Sequence, residues 1–241
     1  MSEIIIGRNA VLEALKNNRE IEKITLAKGA EGSVKQIAAK AKDKHIPLYY
    51  SDKSRMDKAA SGGAHQGVIA VVSDYRYCTV DDILKRAESR GEDPFIMILD
   101  GLEDPHNLGA IMRSAECAGV HGIIIPKRRS VSVTETVAKT SAGAVEYMLC
   151  ARVTNIAGEI EKLKKRGIWI GACDMGESLY YSQDLTGPIA LVIGNEGSGI
   201  SRLVKEKCDF TVSIPMKGSI SSLNASNAAS ILMYEVVRQR I

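Results

Sequence analysis

Aromatic side chains are scarce in this 241-residue chain: one Trp, two Phe and eight Tyr, 5% in all. Any core must therefore be built from aliphatic groups. Cysteine is sparse too. Cys78, Cys117, Cys150, Cys173 and Cys208 form no C-x-x-C pair and are odd in number. That argues against a disulfide framework and a zinc module, and points to a reducing cytoplasmic setting. No apolar run approaches the roughly 20 residues of a membrane span, and the first residues lack the charged-then-apolar layout of a signal peptide. The four His (45, 65, 106, 121) show no i, i+4 pairing, so no metal site is expected, and no G-x-S-x-G elbow supports a hydrolase nucleophile. Net charge is also small. The 32 basic and 29 acidic residues leave +3, too little to indicate a polyanionic partner by itself. With 45% hydrophobic and 25% charged residues, the composition is that of a soluble globular protein.

The surplus is unevenly placed. Residues 1–75 hold 12 Lys and Arg against 9 acids, which leaves the remainder balanced at 20 and 20. Such an excess fits either an ordinary solvated surface or a module that touches phosphates. The hydrophobic pattern of this segment predicts a small α/β unit. Helices are expected at 9–15 and 33–44, the second with Val34, Ile37, Ala38 and Ala41 on one stripe. Strands are expected at 24–26, 46–50 and 68–72, with a turn at Gly62-Gly63. Residues 76–93 read as a linker with one helix, Val80 to Ser89, ending at Gly91. The domains are therefore expected at 1–75 and 94–241.

From Phe95 onward, short apolar runs (95–99, 123–125, 168–172, 189–193, 210–214) alternate with helical stretches (108–118, 155–166, 200–206, 225–240). This pattern predicts a mostly parallel sheet covered by helices on both faces. Ligands of such sheets bind beyond the carboxyl ends of the strands, so the loops after Leu99, Ile125, Ile193 and Ile214 are the places to search.

Three of these loops are rich in candidate chemistry. The first contains Asn107, Gly109 and Arg113. Asn107 is expected to cap the helix, and Gly109 in the first turn implies a close approach to the backbone. Arg113 can pair bidentately with a phosphate or carboxylate, or sit in a structural ion pair. His106 reads as a loop residue with a local hydrogen bond. The second loop, Gly194-Asn195-Glu196-Gly197-Ser198-Gly199, fits no standard phosphate cradle, and Glu196 would repel a phosphate. Backbone amides beside a carboxylate suit a cationic or polar small ligand; a tight turn with Glu196 capping the next helix is the alternative. The third, from Ile214-Pro215-Met216 to Ser222-Leu223-Asn224-Ala225-Ser226, holds more small polar residues than a helix cap requires. Cys208, beside Lys207, reads as a partly buried thiol rather than a nucleophile.

Together, Asn107-x-Gly109-x-x-x-Arg113, Gly194-Asn195-Glu196-Gly197-x-Gly199 and Ile214-Pro215-Met216 with Ser222-Leu223-Asn224-Ala225-Ser226 resemble the SpoU (TrmH-like) family of RNA 2′-O-ribose methyltransferases, of the SPOUT superfamily. The resemblance covers about 95–240. Residues 1–75, opening Gly7-Arg8-Asn9-Ala10-Val11, are similar to the family's substrate-binding domain, which resembles ribosomal proteins that bind kinked RNA. One small departure is Ala225, where many members carry Val.

The resemblance implies an α/β fold with a trefoil knot in the C-terminal half and a homodimer formed through the last helix, the site being completed across it. It implies S-adenosylmethionine bound by Gly194, Ile214 and Leu223, with Asn195, Gly199 and Met216 nearby. It also implies methyl transfer to a ribose 2′-hydroxyl, most similar to members acting on a guanosine of 23S ribosomal RNA, free or in an assembling large subunit. Arg113 is the expected catalytic residue, with Asn107, Glu196, Ser222 and Asn224 positioning it and the ribose. Since a guanidinium is a permanent cation, its expected work is orienting a phosphate and stabilising the developing oxyanion. Alternatives are a tRNA methylase, a methylase of another ribosomal loop conferring antibiotic resistance, and a non-catalytic assembly factor. With few aromatics to stack on, recognition should rest on RNA shape and backbone contacts.

Overall fold

The computed structural model describes residues 2–16, 19–29, 32–60, 63–73, 75–176 and 178–241; of the expected Gly62-Gly63 turn, Gly62 lies outside them. The chain divides into two units, Met1–Arg76 with Ser132–Glu135, and Tyr77–Val131 with Thr136–Ile241.

The first unit contains strands β1 (Ser2–Ile6), β2 (Ile21–Ala27), β3 (Leu48–Ser51) and β4 (Val68–Ser73), with helices α1 (Arg8–Lys16), α2 (Ser33–Asp43) and α3 (Lys53–Ala59). The sheet order is β1-β4-β2-β3, antiparallel except for β2 with β3. The continuous apolar run of β4 reflects burial on both faces. Val68, Ala70 and Val72 pack with Val11 and Leu15 of α1 and Ile37 of α2, while Ile69 points the other way onto Met56 and Ala60. Two elements escaped the hydrophobic pattern. They are β1, whose partner lies more than 60 residues away, and the short polar α3.

The second unit runs α4 (Val80–Arg90), β5 (Phe95–Asp100), α5 (Pro105–Cys117), β6 (Gly122–Pro126), α6 (Glu135–Thr140), β7 (Cys150–Val153), α7 (Ile156–Lys165), β8 (Trp169–Cys173), β9 (Ile189–Gly194), α8 (Arg202–Lys207), β10 (Phe210–Val212) and α9 (Ala225–Arg240). Its six strands pair only in parallel, in the order β10-β8-β9-β5-β6-β7. Ile96 and Ile98 of β5 face a layer containing Ile83, Ile156, Ile160 and Val204, which belong to α4, α7 and α8. Met97 and Leu99 alternate to the opposite face, where α5 and α9 contact each other and α9 reaches β9. Part of the expected linker is therefore core. The α4 helix starts from a capping box at Thr79 and Asp82 and buries Ile83 and Ala87 in the second unit. Strand β7, missed in the sequence, is four residues long and carries Arg152.

His121, just before β6, is almost fully buried. Its Nδ1 accepts from the Phe95 N–H and its Nε2 meets Glu92, each at 2.9 Å. Burial holds its pKa below the ordinary 6.5, against the opposing pull of Glu92. The unfolded chain thus takes up a proton that the folded chain refuses. The stability this confers is complete above about pH 6.5 and is lost as pH falls towards the depressed folded value. Urea midpoints at pH 7.5 and 5.5 should fall more for the native chain than for His121→Gln; equal falls would contradict this.

Candidate active site

Helix α5 begins earlier than the sequence suggested. Asp104 is the N-cap, its carboxylate accepting from the His106 N–H at 2.9 Å, with Pro105 at the first helical position. Asn107 therefore sits inside the first turn, buried, and its amide is free for another task. Its Nδ2 donates to the Glu196 carboxylate at 2.5 Å, and its Oδ1 accepts from Asn224 Nδ2 at 3.0 Å. The Oδ1 of Asn224 in turn accepts from the Ser226 N–H at 2.9 Å and hydroxyl at 2.6 Å. A carboxylate can only accept, so Glu196 orients the whole chain of donors. Three segments far apart in sequence are thereby tied together: the loop after β9, the first turn of α5 and the N-terminus of α9. Glu196 does not cap α8; that helix starts after Ser201, with no side-chain cap.

The close approach expected at Gly109 exists, but it is internal. A Cβ there would lie 2.6 Å from Thr140 Cβ and 3.0 Å from the Val137 carbonyl, so the neighbour is α6 and not a ligand. His106 Nδ1 stands 3.3 Å from the Thr140 hydroxyl on the same side.

The loop after β9 folds back on its own strand. Asn195 and Gly199 exchange backbone hydrogen bonds of 3.0 and 2.9 Å. The Asn195 Oδ1 accepts from the N–H groups of Gly197 and Ser198, and its Nδ2 donates to the Gly101 carbonyl at 2.8 Å. Gly194 is compulsory here, because a Cβ would lie 2.2 Å from the Gly199 carbonyl carbon and 2.3 Å from the Ile200 nitrogen.

This loop walls a cavity of about 400 Å³. All six residues expected to hold a cofactor (Gly194, Asn195, Gly199, Ile214, Met216, Leu223) line it, as do Glu196 and Ser222. Asn107 and Asn224 join it only through Glu196. Arg113 is not part of the lining; it is exposed on α5 and has no partner among the described residues. The loop after β8, where Cys173, Asp174 and Met175 form another wall, carries no motif in the sequence. The position of β8 beside β9 explains this, and strand order is not visible in the hydrophobic pattern. Asp174 is held by Lys205 Nζ at 2.6 Å. Burial pushes the Cys173 thiol pKa far up, and that of Cys208 up to about 11, so neither is an activated nucleophile. An apolar floor (Ile193, Val212, Leu232) under a polar rim suits an amphipathic ligand, and the exposed Glu196 carboxylate suits a positive charge on it.

Residues 94–234 match the model of the SpoU rRNA Methylase family, and residues 4–78 match the model described as RNA 2′-O ribose methyltransferase substrate binding. A relative from Bacillus subtilis (strain 168), named "Putative TrmH family tRNA/rRNA methyltransferase YacO", is 49% identical over 240 residues, covering 99% of this chain and 96% of that protein. Among solved structures, the SpoU methyltransferase AviRb from Streptomyces viridochromogenes, in complex with AdoMet, is 27% identical. It covers 99% of this chain and 90% of its own, with a TM-score of 0.63. The A. aeolicus TrmH/SpoU tRNA modifying enzyme is 27% identical, with a TM-score of 0.56, covering 66% of this chain and 84% of its own.

Proposed function

The chain belongs to the SpoU (TrmH) family of RNA 2′-O-ribose methyltransferases, and we propose that its substrate is a guanosine ribose of 23S ribosomal RNA. It is an S-adenosylmethionine-dependent enzyme acting on tRNA or rRNA. The observation that carries the reading is the cavity built from the three motif-bearing loops, with Glu196, Asn107 and Asn224 joined at its edge. The cavity's mixed lining fits the cofactor. Gly194, Asn195, Gly199, Ile214, Met216 and Leu223 would hold it, the apolar floor and the Glu196 carboxylate suiting an amphipathic cation. Bound S-adenosylmethionine supplies an electrophilic methyl group, and the sulfur departs neutral, so no general acid is needed. The protein's own task is the 2′-hydroxyl. Arg113 orients the adjoining phosphate and stabilises the oxygen as its proton passes to phosphate or water. Ser222, with the Glu196–Asn107–Asn224 chain, fixes the ribose and the loops around it.

Since Arg113 lies outside its own cavity's lining, a homodimer that brings it to a second cavity is part of the reading. The exposed Ile231 and Tyr234 on α9 are a fitting contact face for that dimer. We take the C-terminal unit to be tied in the family's trefoil knot, a reading that suits a cavity walled jointly by residues 194–199, Ile214, Met216 and residues 221–223. The match of residues 4–78 to a substrate-binding model, and the two-thirds coverage by the tRNA-modifying structure, favour a ribosomal over a tRNA substrate.

The test is transfer from methyl-labelled S-adenosylmethionine to unmodified transcripts of 23S rRNA, 16S rRNA and tRNA, followed by alkaline hydrolysis. A 2′-O-methyl group blocks cleavage at its own nucleotide, because the 2′-oxygen is the cleaving nucleophile. Label at an alkali-resistant guanosine of 23S rRNA is expected. Label in tRNA would move the substrate, and no transfer to any RNA would overturn the reading.

A further inference from the structure

The balanced charge of the second unit conceals a local cluster. Directly after β6 the chain reads Lys127-Arg128-Arg129, and the two Arg side chains are exposed, with no partner among the described residues. The loop that carries them is tightly held. The Lys127 N–H donates to the Val153 carbonyl at 2.9 Å, and the Lys127 carbonyl accepts from Arg152 Nη2 at 3.1 Å. Three and four residues further on, the Ser130 hydroxyl and the Val131 N–H both donate to the Leu102 carbonyl, at 3.1 and 2.7 Å. Gly101, next to Leu102, accepts from Asn195 Nδ2. A Cβ at Gly101 would stand 3.7 Å from the Arg129 carbonyl oxygen and 3.9 Å from Asn195 Cβ. The basic loop is therefore fixed, through residues 101–102, against the loop that walls the cavity.

Backbone conformation adds a second observation. Arg129 has φ +53°, in the left-handed region that Gly or Asn occupies with less strain. The loop thus holds Arg129 at a conformational cost. The carboxylates around residues 101–102, and Glu159 in the groove that Lys127 lines, are committed elsewhere: Asp100 to the Ser201 N–H, Asp104 to the His106 N–H, Glu196 to Asn107 and Glu159 to Lys162. Exposed Glu103 is the nearby exception, and three cations outweigh it.

We infer that Lys127, Arg128 and Arg129 form a clamp for the phosphates of the RNA strand that presents its ribose to the cavity. This rests on the RNA-methylating reading and names the contact that holds the strand beside the reacting oxygen. Two guanidinium forks on a loop whose backbone is fixed beside the cavity wall can engage successive phosphates bidentately, independent of base identity. The first unit then brings the RNA, and this loop aligns it.

The test compares full-length native protein, Arg128→Ala with Arg129→Ala, the Lys pair Arg128→Lys with Arg129→Lys, and a control, Lys85→Ala with Lys165→Ala, at two exposed lysines on α4 and α7. Binding to an unmodified 23S rRNA transcript is measured across a salt series, and S-adenosylmethionine binding by calorimetry. Removing two phosphate contacts should lower the slope of log K against log salt by about 1.4–1.8 and raise the RNA Kd about tenfold at physiological salt. Cofactor affinity should stay unchanged, the Lys pair should recover most of the slope, and the control should match the native protein. A native slope and a Kd within twofold in the double Ala variant would overturn the clamp. Because the slope is read from binding, failure of the native protein to methylate RNA would count against the proposed activity and leave this comparison intact.

Discussion

Replacing Arg113 by Lys should lower kcat/KM for RNA by about 10²- to 10³-fold, the range for loss of one preorganised donor at a developing oxyanion, while S-adenosylmethionine binds as before. The second half follows from position: Arg113 stands outside the cavity lining, and its side chain makes no hydrogen bond within its own chain among the described residues. The first half follows from shape. Lys keeps the charge but loses the planar fork that can hold a phosphate and meet the 2′-oxygen together. Calorimetry for the cofactor and single-turnover kinetics for RNA separate the two. Parallel loss of both would make Arg113 a structural residue. A mixing experiment then asks where the Arg acts. If it serves the partner's cavity, combining Arg113→Lys with a variant whose own cavity is filled, such as Ala228→Phe, should restore activity that neither has alone. Ala228 lines the cavity, so the second variant blocks the pocket without touching Arg113.

The three motif loops stand out in the sequence because Gly, Asn and Ser cluster after aliphatic strands, and that periodicity survives in the fold. The bounds of α9 at Ala225 and Arg240 coincide with the expectation for the same reason. What escaped depends on contacts between distant segments. Asn107, Glu196 and Asn224 were each singled out, yet nothing in the sequence says that residues 89 and 117 positions apart bond to one another. Asp104 fills the capping role expected of Asn107, and the sequence signal for it is Pro105, a residue favoured at the first helical position. Gly109 correctly announced a close approach and gave no hint that α6 was the neighbour. Asp174 and Met175 went unnoticed because a wall of the cavity comes from whichever strand lies beside β9, and that is decided by sheet order.

Gly194→Ala should abolish measurable S-adenosylmethionine binding, and with it methyl transfer. Gly194 ends β9 in register with Asp100 of β5, so the sheet cannot move to make room. The added methyl would stand 2.2 Å from the Gly199 carbonyl carbon and 2.5 Å from its oxygen. Those are backbone atoms, and they are held: Asn195 and Gly199 bond each other twice, Asn195 Oδ1 takes the next two N–H groups, and its Nδ2 is anchored at Gly101. The loop must therefore lift as a body, and it forms a whole side of the cavity from Gly194 to Gly199. Overpacking of this kind costs about 1–3 kcal/mol, so the protein should remain folded with a lowered melting temperature while the pocket loses its shape. Gly187→Ala, outside the cavity lining and with nothing within 4 Å of the added Cβ, should keep both cofactor affinity and melting temperature near those of the native chain. Calorimetric titration of the two variants decides the matter. A Gly194→Ala protein that binds the cofactor within twofold of native would mean that the loop after β9 is not the cofactor wall.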